Sequence, residues 1–198
     1  MAERAARQKH QAITDGRRAR GERRRAEIID ATLRVVERDG AAGVTHRTVA
    51  READVPTSLT TYYFATLDDL LVAALTAVAE EYVGQLGAII EQGRDEIGGL
   101  AEVIAAAAGP GRRRALAERE LSTLAARRPA LRPIARLWRE TVADIARRHT
   151  TDPLAVDAMV AAADGMCTAI LLEGERPDVV KVRAVLLRAL GIQDPSRL

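Results

Sequence analysis

The chain has 198 residues, 47 % of them hydrophobic but only 3 % aromatic, and a formal net charge of +2. A core so poor in aromatics must be built from Ala, Leu, Val and Ile, which favours packed helices over sheet, and the length is enough for one or two domains. No apolar run approaches the roughly 18 residues of a membrane span. The basic start lacks the apolar segment of a secretory leader, and the single cysteine, Cys167, excludes an intrachain disulfide framework and any zinc-ligand spacing, so the expected compartment is the cytoplasm.

Residues 1–25 hold nine basic and three acidic residues, a net +6, which leaves −4 for the remainder. Residues 1–20 lack periodic apolar positions and read as irregular backbone, so residues 1–22 are taken as a flexible arginine-rich arm. Such an arm is either a solvated tail or part of an electrostatic footprint for DNA. A first helix is expected from about Arg23 to Asp39, with Ile28, Ile29, Thr32, Leu33, Val35 and Val36 as its buried stripe. Gly40 suits the left-handed position that closes it.

The segment Val44–Leu71 carries the most functional information. Its spacing predicts two short helices joined by a tight turn, then the start of a longer one, with Thr45 and Thr57 as candidate N-caps. Val44, Val49, Ala50, Ala53, Val55, Phe64, Leu67, Leu70 and Leu71 supply the apolar positions of a small three-helix unit. Between them, Thr57-Ser58-Leu59-Thr60-Thr61-Tyr62-Tyr63 is uncharged and dense in short hydroxyls and phenols. A helix-turn-helix needs such a second helix, because its outer face lies in a major groove against base edges and phosphates. Thr66 with Asp69 three residues later forms a capping-box arrangement for helix 4, and Asp68 and Asp69 suit the positive end of its dipole. Regular punctuation follows at Gly98-Gly99, Gly109-Pro110-Gly111, Pro129, Pro133, Pro153 and Gly174–Pro177. It predicts helices at 100–108, 112–127, 130–149, 153–173 and 178–190, which with four at the front makes about nine.

With Gly40, Thr45, Ala50, Ala53, Val55, Tyr62-Tyr63-Phe64 and Thr66-Leu67-Asp68-Asp69-Leu70-Leu71, residues 23–71 resemble the DNA-binding domain of the TetR family of bacterial one-component transcription regulators. The resemblance implies an all-α protein in three parts. These are the arm at 1–22, a helix-turn-helix domain at 23–68, and a ligand-sensing and dimerisation domain at 69–198. It also implies double-stranded operator DNA as partner, a small-molecule effector, and a homodimer. By the same resemblance Thr45, Arg47, Thr57, Thr61, Tyr62, Tyr63 and Thr66 match positions that contact DNA, with Ser58 and Leu59 on the same helix. His46 either touches a phosphate or is an ordinary surface histidine.

The chain departs from the family pattern at Asp54 and Ser58, where Gly is common, at Leu59, where a small polar base-reader is usual, at Thr60, where an apolar residue is usual, and at Leu67, where Lys is frequent. Asp tolerates the left-handed conformation, so the turn should survive. Two registers of the reading helix follow. Thr60 and Phe64 point inward and Leu59 meets a thymine methyl, or Leu59 and Tyr63 turn inward instead. The missing Lys leaves the arm to compensate, either in the adjacent minor groove or along phosphates.

In the body, the last two helices are the expected dimer seam. One carries Leu154, Val156, Met159, Val160, Ala163, Met166, Cys167, Ile170 and Leu171, and the other Val179, Val182, Val185, Leu186 and Leu190. The middle helices should enclose the sensor, with Tyr82 and Trp138 as aromatic wall residues and Glu118, Glu120, Arg139, Thr141, Asp164 and Met166 as candidates to line or anchor. Cys167 reads as a small buried apolar residue. His10, His46 and His149 fall in different elements, and no nucleophile–base grouping or phosphate-binding loop is visible. No catalytic residue, metal or cofactor is therefore expected. A ligand-responsive regulator, acting as a repressor by family default, is the reading that results. An activator of the same fold or a non-specific architectural DNA-binding protein are the alternatives.

Overall fold

The computed structural model describes residues 2–91, 95–174 and 177–193, with side chains from residue 16 onward. Among the described residues it is all-α: α1 (Ala2–Asp39), α2 (His46–Glu52), α3 (Thr57–Tyr63), α4 (Leu67–Glu91), α5 (Glu96–Ala105), α6 (Arg112–Leu124), α7 (Arg132–Arg147), α8 (Pro153–Glu173) and α9 (Val179–Ala189), with 3-10 turns at Ala41–Gly43, Ala106–Ala108 and Pro129–Leu131.

Local chemistry explains the boundaries of the first four helices. Gly40 closes α1 at φ 72°, in the left-handed region, with its N–H on Val36 O. Thr45 caps α2 reciprocally with Thr48, each hydroxyl accepting the other residue's backbone N–H at 3.0 and 2.9 Å. Asp54 turns the chain between α2 and α3 at φ 52°, where a carboxylate residue costs less than most. Asp69 N–H donates to Thr66 Oγ1 at 3.1 Å and Thr66 N–H to Asp69 Oδ2 at 2.9 Å, the capping box expected for α4.

Several expectations need correction. The backbone is helical from Ala2 rather than from about Arg23. Ala, Arg, Gln and Glu are strong helix formers, so propensity carries the helix where no apolar stripe exists. Thr57 is the first residue of α3 and Pro56 its cap, because proline's fixed φ and missing N–H suit that entry. The break expected at Gly98-Gly99 lies earlier: Asp95 caps α5 through Gly98 N–H at 3.0 Å, and both glycines are helical. A Cβ at Gly99 would sit 2.5 Å from Ile89, so Gly lets α4 and α5 approach closely. Finally, Leu67–Glu91 and Pro153–Glu173 are, by length and composition, apolar enough to cross a membrane. Alanine-rich packed helices pass that test as well: within the fold α4 buries Leu70, Leu71, Ala74, Leu75 and Val78.

Two apolar clusters result. One joins α1, α2 and Phe64 to the first half of α4, to Ala117 and Leu121 of α6 with Ala125 just after it, and to Leu131, so packing around the first three helices continues past residue 68. The other joins Leu86 of α4 to α5, Trp138, Val142 and Ile145 of α7, and the inner faces of α8 and α9. Tyr82 packs against both. Each fully buried Leu or Ile contributes about 1.5–3 kcal/mol of transfer free energy.

Candidate DNA-reading face and sensor cavity

The inward register of α3 is set by Thr60. Its side chain is fully buried, beside Phe64 at 2 % exposure. Its hydroxyl donates to Thr57 O at 2.8 Å and lies 3.4 Å from His46 O. A Thr thus fits a core position because a neighbouring carbonyl satisfies its hydroxyl. Leu59 and Tyr63 are half-buried, whereas Thr57, Ser58, Thr61 and Tyr62 are exposed. Tyr62 is 78 % exposed and meets Tyr63 edge-on at 5.1 Å. At the front of α2, Thr45 and Arg47 are exposed, while His46 is half-buried with an unpartnered Nδ1. Thr66 is exposed at the start of α4.

Ion pairs hold this head in shape and tie it to the body. Glu52, near the end of α2, accepts from Arg34 Nε at 2.8 Å and Arg38 Nη1 at 2.7 Å, and its carboxyl is held below the usual range by Arg38 first and Arg34 second. Asp30 pairs with Arg34 and with Arg113 of α6, the latter at 3.0 Å. Two further contacts cross between head and body. Glu120 Oε2 of α6 accepts Ala41 N–H at 3.2 Å, and Arg128 pairs with Asp68 at the start of α4.

At the candidate sensor position lies a small pocket of about 10 Å³, lined by Tyr82, Val103, Ala107, Ala115, Glu118, Arg119, Trp138 and Cys167. That is scarcely the room of one water. The rings of Tyr82 and Trp138 lie 5.1 Å apart, tilted by 52°. Of the residues named from sequence, Tyr82, Glu118 and Trp138 come together here. Thr141 and Met166 do not line the cavity: Thr141 turns its hydroxyl back to Leu137 O at 2.8 Å, and Met166 packs into the body core. The sequence reading missed Arg119, Val103, Ala107 and Ala115, small or charged residues whose roles depend on helix–helix geometry. Burial raises the Glu118 pKa, opposed by the Ser122 hydroxyl, which donates at 2.7 Å, and by Arg119. Burial likewise pushes the Cys167 thiol up to about 12, so it is an unreactive wall group.

Glu118 and Arg119 also border an outer cleft of about 410 Å³ that includes Arg132, Arg136, Arg139 and Asp164. Arg139 pairs with Asp164, and Arg119 Nη2 donates to Asp164 O at 3.0 Å. On α8 and α9 the expected seam residues divide. Val156, Met159, Val160, Ala163, Ile170, Val182, Leu186 and Leu190 are buried inside the protomer. A second stripe, Leu154, Ala158, Ala161, Gly165 and Leu172, faces outward, Leu154 at 75 % and Leu172 at 82 % exposure.

Comparison with known proteins agrees with this architecture. Residues 92–192 match the family described as "Tetracyclin repressor-like, C-terminal domain". The transcriptional regulator BetI of Paraburkholderia phytofirmans is 40 % identical over 58 residues, 29 % of this chain and only 30 % of that relative's length. Among solved structures, a TetR-family member from Streptomyces coelicolor A3 is 46 % identical over 84 % of this chain and 97 % of its own, with a TM-score of 0.74. The multidrug binding protein EbrR complexed with ethidium is 46 % identical over 84 % of this chain and 98 % of its own, with a TM-score of 0.69. EbrR has also been solved with imidazole, proflavin and malachite green. The chain therefore belongs to the TetR family of DNA-binding transcription regulators.

Proposed function

We propose that the protein is a cytoplasmic repressor that leaves a palindromic operator when an aromatic organic cation occupies the cavity between Tyr82 and Trp138. The observation that carries this reading is on α6. Glu118 faces the cavity as a desolvated carboxyl, and Glu120, two residues on, holds Ala41 N–H at the base of the reading head. A half-buried carboxyl that shares a pocket with two aromatic rings favours a cation with a π-face. Ethidium, proflavin and malachite green, three of the four molecules with which EbrR is complexed, share that chemistry; imidazole is the fourth.

At about 10 Å³ the cavity is too small for such a molecule. Binding then requires the helices around it to part, and a shift of α6, which supplies three of the lining residues, would disturb Glu120–Ala41 and Arg113–Asp30. α6, like α4, packs against both the head and the body, so both helices can carry the coupling. A coupling of about 1–3 kcal/mol changes operator affinity roughly 5–150-fold. Two reading heads at operator spacing require a dimer. The outward stripe of α8 suits that seam: its spacing is that of a helix–helix contact, and a Cβ at Gly165 would meet nothing within the protomer.

The test titrates ethidium into the complex of the protein with a duplex enriched by it from a random-sequence pool, following quenching of the single tryptophan, Trp138, and DNA anisotropy, with the Glu118→Gln complex titrated in parallel to separate intercalation into the duplex from binding to the protein. Binding with release of the duplex is expected. Release by an aromatic carboxylate but not by ethidium would shift the site to the arginines of the outer cleft and overturn the cation reading. Failure to enrich any inverted repeat would overturn the regulator reading as well.

A further inference from the structure

The first half of α1 has no counterpart in the packed fold. From Ala2 the helix runs unbroken into the core helix of the head, yet its first buried side chain among the described residues is Ile28. Residues 2–20, about 28 Å of helix at 1.5 Å per residue, therefore extend one of the head's own elements. The direction is set by two contacts. The guanidinium of Arg25 lies over the Phe64 ring at 5.1 Å. One turn earlier, a Cβ at Gly21 would lie 3.8 Å from Tyr63 Oη. The helix thus passes the C-terminal end of α3 and leaves the protein beside its reading face, with Arg17, Arg18 and Arg20 exposed on the next turn. Arg18 is paired with Glu22 at 2.9 Å. Arg4, Arg7 and Lys9 lie further out in the sequence.

We infer that this extension is a rigid basic rail that lies along the phosphates flanking the half-site read by α3. The inference rests on the DNA-binding reading of α3. A helix about 10–12 Å across cannot enter a minor groove about 6 Å wide, which removes one of the two modes open to a flexible arm. The major groove alongside is occupied by α3. The phosphate ridge remains, and it fits a strongly basic helix continuous with the reading face. Phosphate contacts fix register without reading bases, so the rail adds affinity and salt dependence but not sequence preference.

The test measures affinity for the enriched duplex against salt concentration, by anisotropy, for three proteins: the full chain, a deletion of residues 2–20, and Ala19→Pro, which keeps every charge but interrupts the helix. Each phosphate contact contributes about 0.9 to the log–log slope. The deletion is expected to lower the slope by about two or more per dimer, to weaken binding roughly 10–100-fold near physiological salt, and to leave the sequence preference unchanged. Ala19→Pro should reproduce most of that loss. An unchanged slope in the deletion overturns the rail. A proline variant that keeps the full slope while the deletion loses it also overturns it, because a flexible arm would then suffice. If the full chain itself shows no salt-dependent binding to any duplex, the reading of α3 fails and the rail with it. Melting temperatures of all three chains, expected to agree, show whether the core is intact.

Discussion

On α3 Thr57, Ser58 and Tyr62 are exposed while the Thr61 hydroxyl turns back to Ser58 O at 3.1 Å, whereas beside Trp138 the Glu118 carboxyl is half-buried and its pKa is raised by desolvation. The two regions use polar groups in opposite ways. At the reading face the groups are solvated in the free protein and can exchange water for phosphate and base partners at little cost. In the cavity the carboxyl is partly desolvated, so the fold carries a cost that a proton or a cation relieves. The first arrangement favours fast, salt-dependent association, and the second favours selectivity for one sign of charge. Stability and function should therefore separate at the reading face and coincide at the cavity.

The sharpest way to break that comparison is to truncate one aromatic in each region. Trp138 is 6 % exposed and part of the body core, while Tyr62 is 78 % exposed. Trp138→Ala is expected to cost about 3–5 kcal/mol, lowering the Tm by roughly 6–20 °C at this chain length. Tyr62→Ala should stay within about 0.5 kcal/mol of the parent yet weaken operator binding. Thermal melts beside operator titrations test both. Equal melting losses would mean that Tyr62 is packed, and the contrast between the regions would collapse.

Glu118 gives a smaller effect with a definite sign. Burial raises its pKa above the ordinary glutamate range, Ser122 and Arg119 oppose the rise, and Asp164 adds to it. Arg139 sits on Asp164, and Tyr82 and Cys167, both with raised pKa values, complete the surroundings. Because a cation binds the carboxylate form, ethidium affinity should climb as pH rises through the raised pKa. In Glu118→Gln it should be flat with pH and about 10–100-fold weaker, the range of a charge-assisted contact of about 1.5–3 kcal/mol. For the empty fold the sign is reversed. A pKa raised by folding contributes stability that is present below the unfolded value and lost as pH rises through the folded one. Isothermal titration across pH reads the first effect and melting the second.

What was legible in the sequence follows the same division. Gly40, Thr45 and the Thr66–Asp69 box act within a few residues of themselves, so residue type and spacing exposed them, and Asp54 was marked by the family resemblance; the structure shows positive φ at Gly40 and Asp54 and both caps. The pairing of Tyr82 with Trp138 was open to reasoning because aromatics are so few. Thr141 and Met166 do not line the pocket beside Trp138, because which side of a helix faces a cavity is decided by crossing angles, not by periodicity. The same limit applies to α8, whose apolar positions form two stripes. Periodicity finds both but does not say which one the protomer buries. The helical start of α1 was missed because an apolar stripe was required where intrinsic propensity was enough.

The smallest predicted effect bears on the boundary between the two regimes, at Leu59. The side chain is half-buried, while Thr60 beside it fills the core position and satisfies its hydroxyl within the fold. Leu59→Ala should therefore cost under about 1 kcal/mol of stability, against about 2–5 kcal/mol for a truncated core leucine. If Leu59 rests on a thymine methyl, the loss of that apolar contact should weaken operator binding a few-fold. Replacing the contacted thymine by uracil in the duplex should weaken the parent protein to a similar degree and leave Leu59→Ala almost unaffected, because two changes that remove one contact do not add. Additive losses would show that leucine and methyl do not touch. A melting loss of core size would return Leu59 to the interior and leave the hydroxyls of α3 to read the groove with Tyr62 alone.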